Sequence, residues 1–200
     1  MKIETMIDMP LKVAYTDPAA SIQLVRQLSG FLAELPPRKR IAVVCLGTDR
    51  STGDSLGPLT GSALSKYHSS SFDLFGTLEV PVHALNLDDT LEQIHHNIRD
   101  PFIIGIDACL GRAANVGCIQ VGQGPVRPGA GVHKELPSVG DIHITGVVNV
   151  GGFMEYVVLQ NTRLHVVMRM AELISRTVFR AVSISAMEQS NKSNSLNSFG

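Results

Sequence analysis

The chain lacks the features that would place it outside the ordinary globular classes. Its 17 Lys and Arg nearly cancel 18 Asp and Glu, for a formal charge of −1, so no overall field draws in nucleic acid or an anionic membrane. Three cysteines, an odd number, make no disulfide framework, and Cys45 and Cys109 fall in apolar runs where Cys packs as a small apolar residue. No stretch approaches the roughly 18 to 20 uninterrupted apolar residues of a membrane span. The start, Met1-Lys2-Ile3-Glu4-Thr5, has no basic segment leading into an apolar one. No internal repeat with a period of roughly 20 to 50 residues is visible, which excludes a solenoid. These absences predict a soluble cytoplasmic protein in a reducing compartment, with no nucleic-acid or membrane partner.

What is present is a chain of 200 residues with 44% apolar content, long enough to bury one substantial core. Apolar residues recur at helical spacing over 19–35, where Pro36 and Pro37 end the helix. Strands are predicted over 41–47, 73–80, 102–107, 116–121 and 141–150. Helices are predicted from Gly57-Pro58 onward, over 90–98 with Asn86 or Asp88 as cap, and over 153–183. Strands alternating with helices imply a three-layer α/β/α sandwich around a mostly parallel sheet. A single domain over 1–185 is expected, followed by a disordered Ser- and Asn-rich tail over 186–200.

Two acids stand out. The run Val43 to Leu46 stops in the polar loop Gly47-Thr48-Asp49-Arg50-Ser51-Thr52-Gly53-Asp54-Ser55, and Ile103-Ile104-Gly105-Ile106 ends on Asp107. The carboxyl ends of neighbouring strands are where an open α/β sheet gathers its ligands and catalytic groups. Two carboxylates held together cannot both ionise cheaply, so Asp54 and Asp107 as a pair would supply one base and one acid at the same pH. Against this, Asp54 just before a helix start is also placed to cap it, and Asp49 competes for the same role. The Gly- and Pro-rich segment 122–132 is a candidate ligand loop, its backbone N–H groups open to close approach.

The motifs Leu46-Gly47, Gly53-Asp54-Ser55-Leu56-Gly57-Pro58, Ile106-Asp107-Ala108, Arg127-Pro128-Gly129-Ala130-Gly131-Val132 and Lys134-Glu135-Leu136 are short individually and specific in combination. In this order they resemble the spore germination protease and, over most of residues 38–182, its smaller relatives, the YyaC-type spore protease family of endospore-forming bacteria. The resemblance implies a phosphorylase/hydrolase-like fold, shared with the HybD-type hydrogenase maturation endopeptidases. It further implies an atypical aspartic peptidase of the sporulating cell or spore interior, requiring no cofactor and acting on a peptide or protein substrate. By motif, the essential aspartates fall on Asp54 and Asp107. The 122–132 loop and the residue after it become substrate contacts, with Gly129, Gly131 and His133 as the named positions. The chain is much shorter than the germination protease and has no obvious prosegment.

Two other readings stand beside this one. In the first, by analogy with the maturation endopeptidases, Asp54, Asp107 and His143 ligate a divalent metal. In the second, the same cleft binds a peptide or protein without chemistry. Cys109 is either a nucleophile or a buried thiol, and its residue type favours the latter. His95 and His96 are expected to be solvated, His68, His83 and His165 carry no signal, and homo-oligomerisation is left open.

Overall fold

The apolar run that begins at Phe102 occupies the position its composition demands, inside the sheet. The computed structural model describes residues 10–129 and 136–197, with side chains to residue 190. Six strands form one sheet in the order β1-β5-β6-β4-β2-β3: β1 Leu11–Ala14, β2 Ile41–Cys45, β3 Asp73–Phe75, β4 Phe102–Gly111, β5 Cys118–Gln123 and β6 Ile142–Val150. Strands β6, β4, β2 and β3 are mutually parallel, while β5 runs antiparallel to β6 and β1 antiparallel to β5. The helices are α1 Ala20–Ala33, α2 Leu56–Ser65, α3 Leu87–Asn97, α4 Glu155–Gln160 and α5 Leu164–Asn197. The architecture is the three-layer α/β/α sandwich that the alternation predicts, and among the described residues no helix is long and apolar enough to cross a membrane.

Alternation along each strand divides the core in two. Val43, Ile104, Ile106, Ile144, Ile119 and Val121 face α1 and α5 through Leu24, Leu28, Val167, Met170, Ile174 and Val178. Stacking of Tyr67 on Phe179, ring centroids 4.1 Å apart, closes the far edge of this layer. On the opposite face, Ala42, Val44, Leu46 and Ile103 meet Leu87, Ile94 and Ile98 of and just beyond α3. That second layer is thinner.

Four elements differ from expectation. Strand β1, not anticipated, is only four residues long; it exists because β5 offers it an edge, pairing Leu11 to Val121 through Ala14 to Cys118. Strand β3 stops at Phe75 instead of residue 80, because Gly76 turns the chain at a φ of 89° and Thr77 and Val80 then close a turn, N to O 3.0 Å. The expected single helix over 153–183 is two. Asn161 Nδ2 donates to the Val157 carbonyl (2.8 Å) and Thr162 Oγ1 to the Val158 carbonyl (2.9 Å), so side chains take over acceptors at the break. Finally, α5 runs to Asn197, into the segment expected to be disordered, and Gln189 on it accepts the Arg38 amide at 3.2 Å.

Helix α2 meets the ends of β2 and β3 with almost no side chain between. A Cβ on Gly57 would lie 2.0 Å from the Leu46 carbonyl oxygen, and one on Gly61 2.0 Å from that of Gly76. Both obstacles are backbone, so relief requires moving the helix away from the sheet. Gly57→Ala is therefore expected to lower unfolding free energy by about 1–3 kcal/mol or more, measured by urea denaturation; an unchanged midpoint would show that α2 has freedom this packing denies.

Candidate functional site

The end of β2 and the start of α2 are tied into one rigid corner. Leu46 N donates to the Ile106 carbonyl (2.7 Å) and Gly47 N to the Val82 carbonyl (2.9 Å), so strand pairing persists past the formal ends of the strands. Gly47 has a φ of 131°, and a Cβ there would fall 1.9 Å from the Asp54 carbonyl oxygen. Only glycine fits a backbone this close in this conformation. The loop therefore folds back upon itself, Thr48 N reaching the Asp54 carbonyl at 3.2 Å, and delivers Asp54 in a 3₁₀ turn, Gly53–Ser55, against the carboxyl end of β4.

Asp107 projects from β4 at this end and is only 8% exposed. Its Oδ1 accepts the Ala108 amide at 2.8 Å. Burial holds its carboxyl well above the usual range, the charge of Asp54 adds to the rise, and the Ala108 amide opposes it. Asp54 is half-buried and raised by burial, opposed by the Thr48 amide and by the charge of His83. The two acids predicted from sequence thus feel one another, in unequal environments. Burial therefore favours the protonated form more at Asp107 than at Asp54.

His83 had no signal in the sequence. It follows Val82, whose bridge to Leu46 is a tertiary pairing, and the turn after it is braced by Asn86. Asn86 Oδ1 accepts the His83 amide (2.8 Å) and Nδ2 donates to the Pro81 carbonyl (3.0 Å). The side chain expected to cap α3 therefore builds the turn that carries His83, and makes no cap bond to the helix. The His83 Nδ1 accepts the Leu85 amide at 3.3 Å.

The remaining candidates separate. Asp49 is exposed, beside a turn in which Thr48 Oγ1 accepts the Arg50 amide (3.3 Å). His143 does not join the pair: its Nδ1 donates to the Gly124 carbonyl at 3.0 Å. Among the described residues no three His, Cys, Asp or Glu side chains are grouped to hold a metal, so Asp54, Asp107 and His143 do not form the ligand set considered above. Burial pushes the half-buried Cys109 thiol up, opposed by a hydrogen bond from Thr145, which disfavours the thiolate a nucleophile needs. Gly129 is half-buried with a φ of 103°. Gly131 and His133 lie outside the described residues. His95 and His96 are exposed on α3.

Beside Asp107 the second face of the sheet continues as a polar row. Thr145, Gln120 and Lys12 stand in register next to it across β6, β5 and β1.

The chain belongs to the family of proteins of unknown function DUF1256. The family pattern matches residues 12–177, which takes in both acids and every strand except the first residue of β1. The chain is also 55% identical, over 163 residues, to the uncharacterized protein YyaC of Bacillus subtilis (strain 168), covering 82% of this chain and 79% of that relative. Membership in a YyaC-like family, read from motif order, is borne out; what the family does is a separate question.

The electrostatics have a consequence for stability. In the unfolded chain Asp107 ionises in the ordinary carboxylate range, near pH 4, while in the fold it keeps its proton to higher pH. Its contribution to stability is therefore fully present below the unfolded value and lost as pH rises through the folded one. Asp107→Asn removes that titration while retaining an oxygen for the Ala108 amide. The variant is expected to melt a few degrees above the parent at neutral pH, with the difference vanishing as the pH falls below the carboxylate range. Identical melting curves at both pH values would mean Asp107 carries no buried-charge penalty.

Proposed function

We propose that this DUF1256 protein is a peptidase of sporulating cells that hydrolyses a peptide bond of a spore protein, with Asp54 and Asp107 sharing the acid–base work. The observation that carries this reading is the unequal coupling of the two carboxyls at one rim: Asp107 raised by burial and by the charge of Asp54, Asp54 opposed in its rise by the Thr48 amide and His83. The motif resemblance to the germination protease, whose two essential aspartates correspond to the same positions, supports it independently. Cytoplasmic activity in the sporulating cell or spore interior follows from the same resemblance.

The proposed steps balance. Asp54, as carboxylate, takes a proton from a water whose oxygen attacks the peptide carbonyl carbon, and Asp107 gives its proton to the leaving nitrogen as the C–N bond breaks. Asp54 then holds the extra proton and Asp107 the charge, and transfer of one proton between them restores the starting pair. His83 serves as a positioning residue whose imidazole opposes the rise of the Asp54 carboxyl. No metal is required by this sequence of steps.

Incubation with extracts of sporulating cells, followed by identification of new peptide termini, tests the reading. Asp54→Asn and Asp107→Asn are each expected to lower cleavage by about 10²- to 10⁴-fold with the far-UV circular dichroism unchanged; undiminished cleavage by both would refute the assignment. An extract left uncut by the parent protein would instead favour a binding role for the cleft.

The pH profile gives a second check. Cleavage requires Asp54 ionised and Asp107 protonated, so the rate falls on the acid side as Asp54 gains a proton and on the alkaline side as Asp107 loses its own. His83→Gln removes an imidazole that lowers the Asp54 value, so the acid limb is expected to move to higher pH while the alkaline limb stays. A profile unmoved by this change would take His83 out of the site.

A further inference from the structure

Helix α3 leaves an open cleft beside the outermost strand. It packs over β2 and β4 through Ala42, Val44 and Ile103, and β3 lies one strand further out, so the flank of the helix and the edge of the sheet stand apart. The cleft between them has a volume of about 590 Å³, within the range that holds a small ligand. Alternation along β3 sends Leu74 to the larger core layer and turns Asp73 and Phe75 toward α3. Phe75, half-buried, gives the cleft an aromatic wall. Gln93 and Asn97, one turn apart on α3, bring side-chain amides to it.

The cleft carries unbalanced charge. Arg40, just before β2, is held in place: its Nη2 donates to Asp73 Oδ2 (2.6 Å) and its Nη1 to the Ser70 carbonyl (3.3 Å). A guanidinium has five N–H donors, so this half-exposed side chain is fixed with donors to spare. Arg99 lines the same cleft. It follows Ile98, whose buried side chain and extended backbone end α3, and among the described residues it has no ion-pair or hydrogen-bond partner. Two guanidinium groups against the one carboxylate of Asp73 leave a surplus positive charge. The carbonyl end of α3 disfavours an anion only within its last turn, and Arg40 belongs to the sheet rather than to the helix.

We infer that this cleft binds a nucleoside monophosphate, with the phosphate on Arg40 and Arg99 and the base over Phe75, its edge toward the amides of Gln93 and Asn97. Each part of that ligand answers one feature of the cleft. A single phosphate monoester balances the surplus charge, whereas every added phosphate would bring negative charge that nothing in the cleft matches. A base stacks on an aromatic ring, and its edge offers the mixture of donors and acceptors that a carboxamide pairs with. Inorganic phosphate would leave the aromatic and amide walls unused. Arg40 and Arg99 precede β2 and β4, so the cleft lies toward the amino ends of these parallel strands, away from the ends that carry Asp54 and Asp107. It shares no residue with the acid pair, and the inference stands apart from the peptidase reading.

The test is isothermal titration calorimetry on the full chain with AMP, adenosine and inorganic phosphate in turn. AMP is expected to bind saturably and at least about tenfold more tightly than either adenosine or phosphate. Arg99→Gln is expected to bring AMP to within about threefold of adenosine, while Arg180→Gln, at an exposed arginine on α5 across the sheet, leaves AMP binding unchanged. No saturable AMP binding below about 1 mM, AMP no tighter than phosphate, or AMP no tighter than adenosine overturns the nucleotide site. So does an Arg99→Gln chain that binds AMP like the parent, or equal weakening by Arg99→Gln and Arg180→Gln, which would reduce the contact to general surface charge. Loss of AMP binding in Asp107→Asn would move the ligand to the acid pair and overturn the assignment as well.

Discussion

Close backbone contact between α2, its preceding loop and the ends of β2 and β3 is the constraint on which the rest of this structure depends. Glycine at 47, 57 and 61 lets main chain meet main chain where any side chain would force the layers apart. The gain is positional, because a loop held by backbone contacts on both sides has few ways to move Asp54. A longer or looser connection would still place an acid near β4, without fixing which oxygen faces its partner. General acid–base chemistry is sensitive to displacements of an ångström or less, so the tight corner and the coupling of the two carboxyls are one feature seen at two scales.

The inequality of the two acids follows from which element carries each. Asp107 sits at the end of a central strand, flanked in register by Cys45-Ile106 pairing on one side and Thr145 on the other, and the sheet itself removes it from water. Asp54 sits on a loop, keeps more solvent, and has an amide and an imidazole at hand. Two carboxyls in identical surroundings would share their proton evenly. Here burial raises Asp107 well above its ordinary value, while the rise of Asp54 is opposed by the Thr48 amide and His83.

Much of this was legible in the sequence because the relevant signals are local. Continuous apolar runs ending abruptly on Asp107 and in the Asp54 loop read directly as buried parallel strands with acids at their carboxyl ends. What escaped depends on pairing between distant segments. Strand β1 is too short to show a period and is stabilised by the free edge of β5. His83 lies after a segment that becomes strand-like only by bridging Leu46 to Val82. Residues 76–80 have apolar character without being strand, since Gly76 turns the chain out of the sheet. The break after Gln160 is likewise invisible to a periodicity count, because Asn161 and Thr162 act through side-chain bonds to carbonyls one turn back.

The two faces of the sheet explain where function could arise at all. On the face toward α1 and α5 most inward positions of four strands are Ile, Val or Leu, and the larger of the two apolar clusters lies there. On the other face the apolar cluster ends near Ile103 and Val126, and the same strands continue with Asp107, Thr145, Gln120 and Lys12. Because side chains alternate with a period of two, each strand contributes to both outcomes at once. Stability is concentrated on one side, which leaves the other free to hold a buried acid whose ionisation the fold opposes. Moving Asp107 one position along β4 would turn it to the face that carries Ile104 and Ile106, inside the larger hydrophobic layer. The pairing of carboxyls therefore depends on strand register as much as on the loop that brings Asp54.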